Sequence, residues 1–310
     1  MPPHNDPTAL FEAQRPRLLR LAYRMLGSFA EAEDVAQDAW LRWQRMAAQD
    51  VVGQAMTGQE REPVDNPAAY LTRIVTRLCL DRAKSAQVRR ETYVGEWLPE
   101  PFFEPDTGAM RADELTMTLM LALERLSPLE RAAFLLHDVF DVPLAEVAET
   151  LERDPAAVRQ LASRARRHVR EARPRYPVEE TAAERIASAF FTASQQGDMA
   201  ALRAMLAQDV AIYSDGGGRV IAFRNPIHGI EKALRLFVGL KRKYGISQPQ
   251  IQHPMQIDRL PGFASLVEGR LLQTTALEIE DGRIRTIYIM RNPEKLSRIA
   301  AAMGAHGTVN

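Results

Sequence analysis

The sequence predicts a multidomain chain: two all-α modules followed by an α+β domain. Three observations predict it. The 310 residues exceed the roughly 100 to 200 of a usual domain. From Leu10 to about Arg170 apolar residues recur at three- and four-residue spacing with basic faces opposite them. Beyond Arg173-Pro-Arg-Tyr-Pro177 the pattern changes to short runs of strand character. The 40 basic and 40 acidic residues cancel, so any affinity for nucleic acid has to come from local charge distribution.

The first module, residues 8–92, opens with two helices between Leu10 and Met46. Leu18, Leu21, Ala22, Met25 and Leu26 form one stripe, Val35, Ala39 and Trp43 another, and residues 28–33 join them. Glu31, Asp34, Gln37 and Asp38 make the second helix acidic on its outer side, which fits either a solvated face or a protein-docking face. Residues 49–66 lack periodicity and read as a loop. A further helix runs from Pro67 to about Arg90, with Tyr70, Leu71, Ile74, Val75 and Leu78 inward. Its other face carries Arg73, Arg77, Arg82, Lys84, Arg89 and Arg90. Residues 93–112 form a mostly extended linker, because the prolines of Trp97-Leu-Pro-Glu-Pro101 cannot continue a helix.

In the second module, residues 113–176, Ser127-Pro-Leu-Glu130 is a capping box that starts a helix through His137. Residues 143–151 supply a short amphipathic helix. Three residues later Asp154 caps, and Pro155 begins, a helix whose Val158, Leu161, Ala162, Ala165 and Val169 share one face. Arg159, Ser163, Arg166, Arg167 and Arg170 occupy the other. This is the spacing of a helix-turn-helix whose second helix would present arginines to duplex DNA; a solvated basic helix is the alternative.

The third domain, residues 180–300, begins with helices near 180–195 and 199–206. Strand-like runs follow at 210–214, 220–223, 251–257, 265–272 and 284–290, with turns at Gly216, Gly217 and Gly218 and at Asp281-Gly282. Cys79 is the only cysteine, which excludes an intrachain disulfide and points to a reducing compartment. Between Leu78 and Leu80 it reads as a buried small hydrophobe rather than a redox sensor. No apolar run approaches a membrane span of about 20 residues, and the N-terminus has no signal-peptide pattern. A cytoplasmic protein without membrane contact is expected.

Two basic helical modules separated by a linker, the first with an acidic helix face, resemble regions 2 and 4 of bacterial extracytoplasmic-function sigma factors. Residues 34–41, Asp-Val-Ala-Gln-Asp-Ala-Trp-Leu, resemble the helix that docks on core RNA polymerase at the β′ clamp, which implies roles for Asp34, Gln37 and Asp38. Tyr70-Leu-Thr-Arg-Ile74 and Leu80-Asp-Arg82 resemble the reader of the minus-10 element, and the helix-turn-helix resembles the minus-35 reader, carried on the β flap. Tyr70 stands where many relatives have tryptophan, and Arg77 where asparagine is common. Residues 90–101 are similar to the linker signature of group 41, whose members carry a fused SnoaL-like domain, with Glu96 in place of the usual proline. Asp215-Gly-Gly-Gly-Arg219 is close to that group's Asp-Gly-Gly-Gly-Lys signature, and Asn292-Pro-Glu-Lys-Leu296 to its C-terminal motif.

The resemblance implies a cone-shaped α+β barrel that controls the sigma modules in cis. The residues implied in that contact are Trp97, Leu98, Pro99, Glu100 and Pro101 on one side and Asp215, Gly216, Gly217, Gly218, Arg219, Asn292 and Pro293 on the other. Promoter DNA and core polymerase are the implied partners, a small-molecule ligand of the third domain is a further one, and the free chain is expected to be a monomer. No metal, cofactor or catalytic residue is expected. SnoaL-like barrels also host enzymes, so Tyr213, Asp215, His228, Asp258 and Glu268 are the side chains that acid–base chemistry would use if they converged. His253 and Asp258 lack metal-ligand spacing. A helix-turn-helix regulator that does not join polymerase, with a ligand-sensing third domain, is the alternative reading.

Overall fold

The computed structural model describes residues 6–57, 66–91, 93–102, 117–172, 179–244, 251–267, 269–305 and 307–308. They fall into two compact units, one within residues 6–89 and 122–171 and the other within residues 90–102, 117–121 and 172–308.

The first unit is all-α. Helix α1 (Pro7–Leu26) starts at Asp6, whose carboxylate accepts from the Thr8 amide at 2.9 Å, and stops at Gly27, left-handed at φ 71°. Helix α2 (Phe29–Thr57) follows after only Gly27 and Ser28. Both ends of α2 differ from the sequence reading. The join expected over 28–33 is already helical from Phe29, with Ser28 accepting from the Glu31 amide, and the loop expected over 49–66 is helical to Thr57. Helix α3 (Pro67–Glu91) is capped by Asn66. Leu18, Leu21 and Met25 of α1 and Val35, Ala39 and Trp43 of α2 are buried. So are Leu71, Val75 and Cys79 of α3. Burial pushes the Cys79 thiol pKa up, which keeps it protonated and inert.

Helix α4 (Met117–Glu124) precedes α5 (Pro128–Phe134). The capping box of α5 is complete: the Glu130 amide donates to the Ser127 hydroxyl, and the Ser127 amide donates to the Glu130 carboxylate. A single π-helical turn (Leu135–Val139) continues it. Helices α6 (Leu144–Leu151) and α7 (Pro155–Ala172) are joined by Glu152, Arg153 and Asp154, with Glu152 left-handed at φ 53°. Asp154 accepts from the Ala156 amide at 2.7 Å. Val147 and Leu151 of α6 are buried together with Val158, Ala162, Ala165 and Val169 of α7, leaving the arginines of α7 outward.

In the second unit, α8 (Glu180–Gln196) and α9 (Met199–Met205) lead into β1 (Leu206–Asp215), β2 (Ile227–His228) and α10 (Ile230–Tyr244). Strands β3 (Ile251–Ile257), β4 (Leu260–Val267), β5 (Arg270–Glu280) and β6 (Arg283–Met290) follow, then α11 (Pro293–Ala302). The mixed sheet has the order β2-β1-β6-β5-β4-β3, with β1 and β6 parallel and every other pair antiparallel. Its two faces bury different clusters. Phe190, Leu202, Val210, Phe237, Leu277 and Ile287 join the helices α8 to α10 to one face. Leu98, Met117, Leu260, Ala276, Tyr288, Leu296 and Ile299 form the other.

Residues 220–223, expected as a strand, have no ladder partner and follow the glycine turn as irregular chain. The strand expected over 265–272 is two, folded at Val267 into the β4–β5 hairpin. Helices α10 and α11 were not anticipated.

The capping box predicts its own pH dependence. Burial works to raise the Glu130 pKa, but hydrogen bonds from Ser127 and the nearby Arg164 hold it below the usual carboxylate range. A lowered pKa contributes stability above the ordinary carboxylate pKa, and that stability is lost as pH falls through the lowered one. Ser127→Ala is expected to cost about 1 kcal/mol near neutral pH. In denaturant titrations the difference from wild type should shrink on acidification through that range.

Candidate functional site

Two basic surfaces belong to the first unit. On α7, Arg159, Ser163 and Arg167 are exposed, while Arg166 is half-buried against Asp138 at 2.5 Å. Arg164 reaches Glu130 at 3.0 Å. The outer face of α7 therefore keeps Arg159, Ser163 and Arg167 exposed, and the neighbouring Arg164 and Arg166 are tied to acids of α5 and its π turn. On α3, Lys84 is exposed within 3.8 Å of Asp81. Arg73 and Arg77 pair with Glu149 and Glu152 at 3.3 and 2.7 Å. Arg89 and Arg90 lie on the last turns of α3, outside the described side chains.

The acidic face of α2 is not separate from the basic face of α3. Arg82 donates to Asp38 at 2.8 Å and to Asp34 at 3.3 Å. Two of the three side chains expected to face polymerase thus share one ion-pair cluster with an arginine expected on DNA. Gln37 is exposed beside them, as is Leu41, an apolar side chain 45 % exposed on the same helix.

The second unit holds a buried polar cluster where β1 and β6 end. Asp215, the last residue of β1, is wholly buried. Burying a carboxylate is costly unless it is paired and hydrogen-bonded, and this one is saturated. Its Oδ1 accepts from the Tyr93 hydroxyl at 2.7 Å and from the Gly217 amide at 2.9 Å. Its Oδ2 accepts from the Leu98 amide at 3.0 Å and from Lys295 Nζ at 2.8 Å. Lys295 also donates to the Leu98 carbonyl and lies 4.2 Å from the Trp97 ring centroid and 5.1 Å from that of Tyr93. These distances place the ammonium in an aromatic cage, stabilised by the ring quadrupoles. The backbone carbonyl of Asp215 accepts from the Arg291 and Asn292 amides.

Each motif residue has a local task in this cluster. Asn292, 3 % exposed, caps α11 by accepting from the Glu294 amide and donates its Nδ2 to the Tyr93 hydroxyl at 2.9 Å. Pro293 supplies the first turn of α11. A Cβ on Gly216 would meet the Val220 carbonyl at 2.4 Å, and Gly217, at φ 64°, leaves no room for one against Asn292. Arg219 pairs with Glu294, on α11 rather than on the linker. In the linker Leu98, Pro99, Glu100 and Pro101 are buried and Trp97 is half-buried. Burial first, then the neighbouring Asp215, pushes the Tyr93 phenol pKa up, so Tyr93 stays a proton donor.

A second clip holds the same linker. Asp258, at the β3–β4 turn, accepts from the Phe102 amide at 3.2 Å, and its own amide donates to the Phe102 carbonyl at 2.7 Å. Tyr93, Lys295 and Asp258 were not assigned this role from the sequence. The motif around Lys295 was visible, but its partners lie 80 and 197 residues away.

The side chains weighed for acid–base chemistry go to different places. Asp215 and Asp258 hold the linker, while Tyr213 stacks on Tyr288 at 5.7 Å and meets the His228 ring edge at 6.3 Å. Glu268 lies outside the described residues. Among the described residues no group of histidine, cysteine, aspartate and glutamate is placed to hold a metal, and no helix is long and apolar enough to cross a membrane.

Asp215→Ala removes one partner of a buried pair and leaves Lys295 without its counter-charge. It is expected to destabilise the second unit by about 3–5 kcal/mol, read as a lower unfolding midpoint in denaturant.

Family models place the same modules on the chain: sigma-70 region 2 matches residues 10–89 and sigma-70 region 4 matches residues 116–169. The extracytoplasmic-function RNA polymerase sigma factor SigJ of Mycobacterium tuberculosis is 35 % identical over 305 residues, covering 93 % of this chain and 92 % of the relative. The probable extracytoplasmic-function sigma factor SigI of the same species is 29 % identical, covering 98 % of this chain and 99 % of its own length. The crystal structure of SigJ superposes with a TM-score of 0.69 at 32 % identity, covering 93 % of this chain and 98 % of that one. With both regions matched in order and the similarity running through the α+β domain, this chain belongs to the extracytoplasmic-function RNA polymerase sigma factors.

Proposed function

We propose that this sigma factor binds core RNA polymerase through the Asp34, Gln37 and Asp38 face of α2 and directs initiation at promoters. In this reading α3 engages the minus-10 element and α7 the minus-35 element. The observation that carries it is the whole-length similarity to SigJ, with exposed Arg159, Ser163 and Arg167 on a helix-turn-helix whose other face is fully packed. Arginine in the major groove donates bidentately to guanine, and lysine and arginine on α3 neutralise backbone phosphates.

The SnoaL-like domain regulates the sigma modules in cis through the linker. Held at Tyr93, Leu98 and Phe102 by Asp215, Lys295 and Asp258, the linker is not a free tether between regions 2 and 4. The reach of one module from the other then depends on whether that latch is made. A small-molecule ligand would act by favouring one latch state. The free protein is a monomer that acts as one copy per polymerase, in the cytoplasm.

Transcription in vitro with purified core polymerase on promoters selected from the host genome tests the reading, comparing the full chain with one ending after Tyr176. Specific initiation by either form is expected, with a difference between forms that gives the sign of cis control. No initiation by either form, with both folded, would leave a helix-turn-helix regulator that does not join polymerase. Asp38→Arg is expected to weaken core binding. Arg159→Ala is expected to reduce discrimination at the minus-35 element by about 1–3 kcal/mol, measured by binding to single-base variants.

A further inference from the structure

Asp34 and Asp38 stand four residues apart on α2, so their carboxylates are neighbours on one helix face and repel each other. Left alone, each would turn away from the other and the face would have no fixed shape. A single guanidinium from α3 holds them. Arg82 Nη2 donates to Asp38 Oδ2 at 2.8 Å and Nη1 to Asp34 Oδ2 at 3.3 Å. Nη1 also donates to the Glu31 carbonyl, one turn earlier on the same helix, at 3.4 Å. The planar fork of arginine suits this bridge, because its donors are fixed relative to one another, whereas lysine offers one point charge.

Exposure separates Arg82 from the acids it holds. Its side chain is 29 % exposed, against 67 % for Asp34 and 45 % for Asp38. The carboxylates are therefore open to a partner, while the guanidinium lies deeper with both terminal nitrogens bonded to α2. An arginine so engaged has little to offer a phosphate, although it shares α3 with Arg73, Arg77 and Lys84. Pairs this exposed add little stability. What the bridge supplies is order: flexible side chains that must be fixed at an interface oppose association, and side chains already fixed do not.

We propose that Arg82 is a positioning residue for polymerase docking: it acts through Asp34 and Asp38, holding both carboxylates in the arrangement that the partner surface accepts, and does not contact DNA. The inference rests on reading the Asp34, Gln37 and Asp38 face of α2 as the polymerase-docking surface. Charge and position predict opposite signs here. Removing Arg82 leaves the face more negative, which speeds encounter with a cationic surface. Removing its bridge frees both acids, which shows as faster dissociation.

Association of the full-length chain with core polymerase, followed in real time, tests it. Arg82→Gln is expected to weaken binding about three- to tenfold through a faster off-rate, with an on-rate equal to or above that of wild type. Its unfolding midpoint should stay near that of wild type, which separates lost position from lost fold. Arg82→Lys should recover only part of the affinity. In an Asp34→Asn/Asp38→Asn background, itself weakened, Arg82→Gln should change binding by less than about twofold, because the arginine then has nothing to position. At saturating core polymerase, the promoter affinity of Arg82→Gln should keep the wild-type salt slope. Unchanged or tighter core binding by Arg82→Gln, full recovery with lysine, or a salt slope shallower by about 1, the mark of a lost phosphate contact, would overturn the proposal. Wild-type core binding by Asp34→Asn/Asp38→Asn would instead overturn the reading of the α2 face, and this inference with it.

Discussion

The second unit depends on a single buried carboxylate. Asp215 ends β1 inside the protein, and a charge there is tolerable only because four donors from three separate stretches of chain converge on it. Those stretches are the linker, the glycine turn and α11. Each is otherwise weakly specified: the linker lacks regular structure, the turn is rich in glycine, and α11 is a short helix after the last strand. The carboxylate gives all three one shared place to be, and Lys295 closes the arrangement by neutralising it and stacking between Trp97 and Tyr93.

Arginine works in two opposite ways in the first unit. Arg24 and Arg131 are buried and structural, whereas Arg159 and Arg167 are exposed and available to a polyanion. A zero net charge conceals this division. So does a simple count of basic residues per helix, because α3 and α7 each mix arginines that are tied to acids with residues that face solvent. Arg82 shows the cost of reading charge from sequence alone: it lies on the basic face of α3 yet serves to orient Asp34 and Asp38 on the acidic face of α2.

Elements whose boundaries are set by local chemistry were legible. Asp154 and Pro155 start α7 where capping requires, Ser127 and Glu130 start α5, and Asp281-Gly282 turns β5 into β6 with both residues at positive φ. Elements set by distant partners were not. Residues 220–223 have β-branched and aromatic side chains but no neighbouring strand to pair with, and β-propensity without a partner does not make a strand. Helix α10 is hard to read although Ile230, Ala233, Leu234 and Phe237 share one buried face, because Gly229 precedes it and Gly239 interrupts its period from within. The motifs Asp215 to Arg219 and Asn292 to Leu296 were visible, but their meeting point, with Tyr93 and Lys295 at its centre, joins residues up to 199 apart in sequence and exists only in the fold.

The Asp215 cluster predicts that the linker between the two sigma modules is held by the α+β domain as firmly as that domain is folded. Hydrogen exchange at the Leu98 amide measures this directly, since that amide donates to the buried Asp215 carboxylate. Exchange governed by unfolding of the second unit, with protection equal to that of the β5–β6 ladder, is expected. Exchange of Leu98 at the rate of an exposed amide, while the ladder stays protected, would contradict it.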